Sequence, residues 1–361
     1  MILQHIGFID FFETHFSPFK EKNFKPARVI RQNKTNYLIL SEDGELTAQL
    51  SGKMLHKDDK MLKPVVGDWV VISTTDNDSL AIIHDVLPRQ TIVERKTAGD
   101  KTEAQIIAVN IDKLILVVGL DDNFNIRRIE RYLTMIYDSG AEPIILLNKT
   151  DLCDDVESRK AEVESIAFGV PVITISALNN FGLDELEEHL SHGKTIALIG
   201  SSGVGKSTII NHFMNYEKMK VKSVSDEKHQ GRHTTTHREL IVLPNGAVML
   251  DTPGMRELQL WGDEENVSKS FSDIESLSAM CKFVDCKHQS EPGCAIINAI
   301  ESGELKQKRF DSYLKQLREL QHLARRQDQL GRHEMNKRGK KFAARVKAAV
   351  KFKKKNNLKT W

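Results

Sequence analysis

The sequence contains Asn148-Lys149-Thr150-Asp151 and, further along, Gly200-Ser201-Ser202-Gly203-Val204-Gly205-Lys206-Ser207. The second stretch has the G-x-x-x-x-G-K-S spacing of a loop that wraps nucleotide phosphates. The first is typical of a loop that recognises guanine. In an ordinary small GTP-binding domain the phosphate loop comes first and the base-recognition loop comes near the end. Because the order is reversed here, the sequence predicts a circularly permuted GTPase domain.

Both motifs lie where strands of a parallel sheet are predicted to end. From Gln105 onward, short apolar runs alternate with helical patterns at 126–138, 156–168 and 183–190. This rhythm favours a doubly wound sheet that binds its ligands at the carboxyl ends of the strands. The predicted strands are 113–119, 143–147, 171–175, 195–199, 239–243 and 247–250.

The glycines of the phosphate loop allow backbone amides to point at the β-phosphate without a Cβ in the way. Lys206 is expected to neutralise oxygens of the β- and γ-phosphates, and the Ser207 hydroxyl is expected to ligate Mg²⁺. Residues from three other strand ends complete the nucleotide site. The predicted GTP-binding residues are Asn148, Lys149, Asp151, Ser176, Ala177, Gly200, Ser201, Ser202, Gly203, Val204, Gly205, Lys206, Ser207, Thr208, Asp251 and Gly254.

The guanine-recognition motif predicts GTP rather than ATP as the nucleotide. The Asp151 carboxylate can accept the two N–H groups that guanine presents and adenine lacks. The Ala177 amide follows the next predicted strand and can donate to guanine O6. Asn148 is expected to brace the loop, and the stem of Lys149 is expected to cover the base.

The polar segment 223–237 lies between the phosphate loop and Asp251, which is the place of a switch I loop. One of its threonines is expected to complete the Mg²⁺ shell, and the candidates are Thr235 and Thr236. Asp251 is expected to hold Mg²⁺ through water. The Gly254 amide is expected to sense the γ-phosphate.

Met255 follows Gly254, at the position where many small GTPases carry a glutamine that orients the attacking water. An apolar side chain cannot orient water, so intrinsic hydrolysis is expected to be slow. His233 is the candidate catalytic residue, because it is a titratable group on the switch I segment. The alternative, that His233 only packs against the body of the protein, is equally open.

Three cysteines and one histidine cluster within fourteen residues: Cys281, Cys286, His288 and Cys294. Three thiolates and one imidazole make a closed tetrahedral set, which predicts one structural Zn²⁺ and no catalytic metal. Cys153 stands apart and is expected to be a small packing residue. With four cysteines in all, the chain does not have the pattern of a secreted disulfide scaffold.

The N-terminal third has a different rhythm. Five short alternating runs, separated by turn-forming residues, predict a small OB-type β-barrel at 27–95. Such a barrel is a common platform for nucleic acids, and a rigid spacer is the alternative. Residues 1–26 form a Phe-rich amphipathic lead-in that is expected to dock onto the next domain.

The formal net charge of +2 conceals an asymmetry along the chain. Residues 337–361 contain eleven Lys and Arg and no acidic residue, which leaves 41 basic against 50 acidic residues elsewhere. A basic tail on an acidic body suggests contact with a polyanion such as RNA, and a solvated tail is the plainer alternative. No apolar run approaches 18 residues and no signal peptide is apparent, so we expect a cytoplasmic protein without membrane contact.

Together these motifs resemble the ribosome small-subunit-dependent GTPase A family, RsgA, also called YjeQ or YloQ. The resemblance runs from about residue 27 to residue 329 and includes the stretches 66–69, 125–132, 231–236 and 251–260. It implies a multidomain α/β protein with an OB-type barrel, a circularly permuted P-loop GTPase domain built on a doubly wound sheet, and a helical zinc-binding domain with a basic tail. The corresponding boundaries are 1–26, 27–95, 96–260, 261–336 and 337–361.

The resemblance also implies a late assembly factor that binds the 30S ribosomal subunit and its 16S rRNA. The subunit would stimulate GTP hydrolysis, and hydrolysis would trigger release, as in a maturation checkpoint. The family's suspected catalytic histidine corresponds to His233. The absence of an obvious coiled coil favours a monomer. The expected nucleotide partners are GTP and GDP. Two alternatives are a GTP-sensing RNA-binding module whose hydrolysis is incidental, and a GTPase that acts on mature ribosomes.

Overall fold

The computed structural model describes residues 3–33, 35–55, 63–74, 80–96, 104–221, 239–251 and 264–321. Its first five strands are β1 (Lys25–Gln32), β2 (Tyr37–Ser41), β3 (Gly44–Leu50), β4 (Trp69–Thr74) and β5 (Leu80–Val86). They pair in the order β1-β2-β3-β5-β4 and back to β1, and only the β3–β5 pair is parallel. Val29, Ile39 and Ile83 lie in the fully buried interior. The predicted OB-type barrel is confirmed.

The segment ahead of the barrel packs against it. Helix α1 (Asp10–Phe16) and its flanking 3₁₀ turns cover one side of the barrel, and the Phe8 ring lies 4.7 Å from the Trp69 ring. Arg28, buried in β1, donates a hydrogen bond to the Ile6 carbonyl. Apolar burial and this hydrogen bond fix the lead-in to the barrel.

A hairpin that the sequence analysis does not predict follows the barrel. The hairpin consists of β6 (Ile92–Lys96) and β7 (Ala104–Val109). Within the barrel, a short helix, α2 (Gly52–Leu55), connects β3 to the later strands. The predicted boundary between residues 95 and 96 falls inside β6. The charged run Glu94-Arg95-Lys96 interrupts the apolar alternation by which a strand is recognised in a sequence.

The second part of the sheet carries the P-loop. Its strands pair in the order β10-β9-β8-β11-β13-β12, and all neighbours are parallel except β12 and β13. One bridge, between Arg31 and Glu239, joins it to the barrel. The strands are β8 (Lys113–Gly119), β9 (Glu142–Asn148), β10 (Val172–Thr174), β11 (Thr195–Ile199), β12 (Glu239–Val242) and β13 (Val248–Asp251).

Four helices connect these strands: α3 (Ile126–Ser139), α4 (Val156–Glu164), α5 (Leu183–Glu188) and α6 (Lys206–Val221). Helix α3 has clear start and stop signals. The Asn125 side chain accepts a hydrogen bond from the Arg128 amide, and Gly140 ends the helix with a φ of +80°. Both are favoured residues at these positions, because Asn satisfies a free amide and Gly tolerates the left-handed conformation.

The chain then forms a unit of four helices, which we call the C-terminal helical unit (residues 264–321). It has its own core, which includes Phe271, Ile296, Phe310 and Leu320. Its helices are α7 (Glu264–Ser270), α8 (Ser272–Ala279), α9 (Ala295–Ser302) and α10 (307–321). Among the described residues, no helix is both long enough and apolar enough to cross a membrane.

Candidate nucleotide site and metal centre

The phosphate loop connects β11 to α6 and lies close to its neighbours. Gly200 has a φ of +134°, and a Cβ at this position would lie 2.2 Å from the Val117 carbonyl oxygen of β8. Gly203 and Gly205 also have positive φ angles, at 79° and 101°. Only glycine adopts these conformations without strain, so the predicted glycines have a physical reason here.

The Lys206 side chain folds back over the loop. Its Nζ donates to the carbonyl oxygens of Gly200 and Ser201, at 2.7 and 2.5 Å. The Ser207 and Thr208 side chains follow at the exposed start of α6. The amides at a helix N-terminus favour an anion, so lysine, hydroxyls and helix end together form a site for phosphate.

Asn148 of the guanine loop forms hydrogen bonds to the phosphate loop and to the loop after β10, at the carboxyl edge of the sheet. This buried residue ends β9, and its Nδ2 donates to the Val204 carbonyl of the phosphate loop at 2.8 Å. Its Oδ1 accepts from the Ala177 amide at 2.9 Å. A Cβ on Gly205 would lie 2.2 Å from this Nδ2, so a larger residue there would displace Asn148. The Ala177 amide predicted to donate to guanine O6 thus has an internal acceptor in this structure.

The remaining guanine-loop side chains are also held in place. Lys149 has a φ of +69°, and its Nζ lies 2.7 Å from Oδ2 of Asp121, which follows β8. The hydrogen bond from Lys149 holds the pKa of Asp121 below its usual value. Asp151 accepts a hydrogen bond from the Ser176 hydroxyl at 2.5 Å. One oxygen of Asp151 therefore accepts an internal hydrogen bond, while the residue remains exposed to solvent.

Several predicted residues belong to segments outside the described part of the chain. They are His233, Thr235, Thr236 and Gly254. For Asp251 only the backbone is described: it ends β13, which is parallel to and paired with β11. Asp251 therefore comes to the same edge of the sheet as the phosphate loop.

The sequence analysis does not identify two polar contacts beside this site. One is Asp121, the partner of Lys149, whose only sequence signal is its position just after a predicted strand. The other is Arg128 of α3, whose Nη1 donates to the Ser201 hydroxyl at 3.2 Å. Neither contact joins residues that are near one another in the sequence.

The four predicted zinc ligands come together in the C-terminal helical unit. The ligand atoms of Cys281, Cys286, His288 and Cys294 all lie within 4.8 Å of one another. His288 Nδ1 is 3.4 Å from the Cys294 sulfur and 3.6 Å from the Cys281 sulfur. Ligand bonds of about 2.0–2.3 Å in a tetrahedron require separations of this size. The His288 Nε2 also lies 3.2 Å from the Ser278 hydroxyl, a contact that fixes the orientation of the ring.

The chemistry of the cysteines agrees with a metal. Burial works against the Cys281 thiolate, but hydrogen bonds from the amides of Ala295 and Ile296 outweigh it and lower its pKa. Partial burial, together with the neighbouring sulfurs, raises the pKa of Cys286 to about 11. Three adjacent sulfurs cannot all be thiolates without a cation between them, and a bound Zn²⁺ would supply that charge. The residues fit one structural zinc ion.

An ion-pair cluster fixes the C-terminal helical unit to α3. Arg309 Nη1 lies 2.7 Å from Glu130 Oε1, and its Nε and Nη2 lie 2.6 and 2.7 Å from the Asp273 carboxylate. The Glu130 and Arg309 side chains are only 2% and 8% exposed. Burial raises the pKa of Glu130, and the hydrogen bond from Ser312 together with the charge of Arg309 opposes that shift.

The substitution Arg309→Met is expected to lower the free energy of unfolding by about 3–5 kcal/mol, because it leaves the Glu130 carboxylate buried and unpaired. Without Arg309 the Glu130 pKa rises further. A carboxyl group with a raised pKa in the folded state favours folding at low pH and loses that contribution as pH rises through the folded value. Urea unfolding should therefore show a smaller deficit at pH 5 than at pH 8.

A matched control is Arg131→Met, which breaks the half-exposed pair of Arg131 with Glu319 in the same interface. Exposed pairs contribute about 1 kcal/mol or less, so this variant should stay within that range at both pH values. An Arg309→Met deficit that is equal at pH 5 and pH 8 would contradict the role given to Glu130.

Comparison with known proteins agrees with this geometry. Residues 86–261 match the family model described as RsgA GTPase. A protein of Syntrophotalea carbinolica named "Small ribosomal subunit biogenesis GTPase RsgA" is 44% identical over 89% of this chain and 90% of its own length. The chain belongs to the RsgA GTPase family. Another RsgA, from Opitutus terrae, is 45% identical over 91% of this chain and 92% of its own length.

Solved structures with the RsgA fold are also similar. YjeQ from Thermotoga maritima has a TM-score of 0.62 and 28% identity, over 82% of this chain and 98% of its own. YloQ, described as a circularly permuted GTPase, has a TM-score of 0.59 and 26% identity, over 85% of this chain and 96% of its own. The predicted permutation is confirmed, and as an RsgA family member the protein is a GTPase and a hydrolase.

Proposed function

We propose that this GTPase binds the small (30S) ribosomal subunit and acts as a late maturation checkpoint, in which the subunit stimulates hydrolysis and hydrolysis triggers release. The main support is the joint arrangement of guanine loop and phosphate loop around Asn148. Relatives that align with 89–91% of this chain are named small ribosomal subunit biogenesis GTPases. A site that selects guanine and cradles phosphate, in a chain with these relatives, favours this function over a general nucleotide hydrolase.

Within this proposal the nucleotide residues have separate tasks. Asp151 reads the guanine edge, Lys206 and the loop amides bind the phosphates, and Asn148 keeps the two loops in register. Ser207, Asp251 and either Thr235 or Thr236 hold Mg²⁺, which neutralises charge on the phosphate oxygens when it is bound with GTP.

Hydrolysis requires a group that orients the attacking water. Since Met255 cannot do this, we assign the task to His233, whose imidazole can accept a proton from water. We expect His233 to reach the attacking water when GTP and the ribosomal subunit are both bound. Intrinsic turnover is then slow, and the subunit controls it.

The other parts of the chain supply binding and rigidity. In the proposed division, 1–26 braces the barrel, 27–95 contacts 16S rRNA, 96–260 hydrolyses GTP and 261–336 holds the structural zinc. Residues 337–361 add phosphate contacts through their eleven basic side chains, so binding weakens steeply as salt rises. The protein acts as a cytoplasmic monomer.

Nucleotide turnover with and without purified small subunits tests this proposal. GTP hydrolysis should be slow alone and rise at least tenfold with subunits, and ATP should not be hydrolysed in either condition. His233→Ala should abolish the rise while it leaves GTP affinity unchanged. If neither immature nor mature subunits change GTP turnover, the checkpoint mechanism is wrong and a GTP-sensing RNA-binding module is the better description. Equal affinity for mature and immature subunits would instead favour a role on mature ribosomes.

A further inference from the structure

Helix α3 contacts the phosphate loop through Arg128. Its Nη1 donates to the Ser201 hydroxyl at 3.2 Å and lies 3.4 Å from the Asn123 carbonyl. Arg128, Ser201 and Val204 line a small gap of about 10 Å³ beneath the loop, close to the minimum that holds one water molecule. The loop is thus not fully packed against α3, and the guanidinium makes a polar contact across the gap.

The same helix is held on another side by the C-terminal helical unit. Two residues after Arg128, Glu130 bonds to Arg309. Arg131 then pairs with Glu319 at 2.7 Å, and the hydroxyl of Thr134 lies 3.0 Å from Gln316 Oε1. These positions span about 9 Å of helix, because six residues rise about 1.5 Å each. Residues 128–134 of α3 therefore contact both the phosphate loop and the C-terminal helical unit.

We propose that Arg128 is a positioning residue for the phosphate loop, and that α3 makes its position depend on the docked C-terminal helical unit. The proposal rests on the GTP site described above and adds Arg128, which contacts the phosphate loop from α3. A glycine-rich loop has many accessible conformations, so an external hydrogen bond that selects the phosphate-binding one reduces the cost of ordering on GTP binding. Such coupling is reciprocal, so bound nucleotide should in turn stabilise the contacts of α3 with the C-terminal helical unit.

The substitution Arg128→Gln tests the first part in the full-length, zinc-loaded protein. We expect kcat/KM for GTP to fall about three- to tenfold, because an exposed hydrogen bond contributes about 0.5–1.5 kcal/mol. The matched control is Arg127→Gln, which removes the same charge from the neighbouring position. Arg127 is exposed and lines a different cleft, between α4 and the C-terminal helical unit. Its kcat/KM should stay within about 1.5-fold of the wild type, and both variants should keep the wild-type melting temperature.

Two further variants separate positioning from a general charge effect. Ser201→Ala removes the acceptor and should reproduce the loss in Arg128→Gln, and the double variant should be no worse than either single one. Arg128→Lys keeps the charge but not the planar fork and should recover only part of the activity. If Arg128→Gln behaves like Arg127→Gln, or if its effect adds fully to that of Ser201→Ala, the positioning role is wrong.

Arg131→Ala tests the connection to the C-terminal helical unit, because it weakens that contact without leaving a buried charge. We expect it to lower kcat/KM about twofold in the wild type and to have no effect in the Arg128→Gln background. An equal effect in both backgrounds would overturn the coupling through Arg128. This result differs from a failure of the proposed GTPase site, in which the wild type and Arg127→Gln would themselves show no GTP turnover under single-turnover conditions.

Discussion

The substitution Asp151→Asn is expected to weaken GTP binding about 10²- to 10⁴-fold. A carboxylate accepts hydrogen bonds from both N1–H and the 2-amino group of guanine, whereas an amide offers one acceptor and places its NH₂ against a donor. Neither hydrogen bond keeps its charged acceptor, because one is replaced by two opposed donors and the other is left with a neutral acceptor; each charge-assisted bond contributes about 1.5–3 kcal/mol. The fold should be retained, because the side-chain oxygen of an asparagine can still accept from the Ser176 hydroxyl that bonds to Asp151.

Competition titrations against a fluorescent guanine nucleotide provide the measurement. Xanthosine triphosphate carries a carbonyl in place of the 2-amino group, so the side-chain amide of the Asp151→Asn variant should bind it more tightly than the wild-type carboxylate does. Asp154→Asn is the matched control, since Asp154 is an exposed carboxylate three residues further on, and it should leave both affinities unchanged. If Asp151→Asn binds GTP as tightly as the wild type, the base is recognised elsewhere and the assignment of the guanine loop is wrong.

The sequence predicts those parts of the site that are local. Strands β8 and β11 have the predicted bounds, because fully buried parallel strands are continuous apolar runs. The phosphate loop has a fixed spacing from strand to helix, and the zinc ligands lie within fourteen residues. The barrel strands are recognised by their alternation and by the turn-forming residues between them.

The sequence does not predict polar contacts between distant segments. Lys149 meets Asp121 across 28 residues, Arg128 meets Ser201 across 73, and Arg309 meets Glu130 across 179. No periodicity encodes such a pairing, because each partner is of a residue type that usually lies at the surface. These contacts form only in the folded protein. The sheet brings several strand ends to one edge, and α3 lies between the phosphate loop and the C-terminal helical unit.

The hydrogen bond of Ala177 illustrates the same limit at shorter range. The motif predicts that the Ala177 amide donates to guanine O6, but in this structure the amide donates to Asn148 Oδ1. A bound guanine must therefore share that donor or replace the internal acceptor. The partner of the Ala177 amide therefore depends on whether a nucleotide is bound. The sequence motif predicts only the partner in the nucleotide-bound state.

The C-terminal helical unit is connected to the GTPase sheet in two ways. The segment after Asp251, which the sequence analysis expects to sense the nucleotide, precedes α7 in the chain. The C-terminal helical unit also contacts α3 through the ion pair of Arg309 with Glu130. Two connections, one covalent and one through packed side chains, thus join the GTPase sheet to a unit that contains a candidate zinc site.

Removal of zinc is expected to unfold the C-terminal helical unit while the GTPase sheet remains folded. The unit spans residues 264–321, and its core packs directly around Cys294 and Cys281. Cores of this size supply only a few kcal/mol, whereas structural zinc contributes an apparent binding free energy of about 10–16 kcal/mol in zinc-finger peptides. In Cys294→Ser, zinc content should fall from one per chain to nearly none, and amide exchange in α8 and α9 should accelerate at least about 100-fold.

The control Cys153→Ser replaces the cysteine outside the cluster and should retain one zinc and the wild-type exchange pattern. Strands β8 and β11 should keep their protection in both variants, because their core is separate from that of the C-terminal helical unit. Loss of zinc with unchanged exchange in α8 and α9 would show that the helices are stable without metal. In the expected case Arg309 also loses its fixed position, so Glu130 is left unpaired and the zinc centre stabilises α3 at a distance through this one buried ion pair.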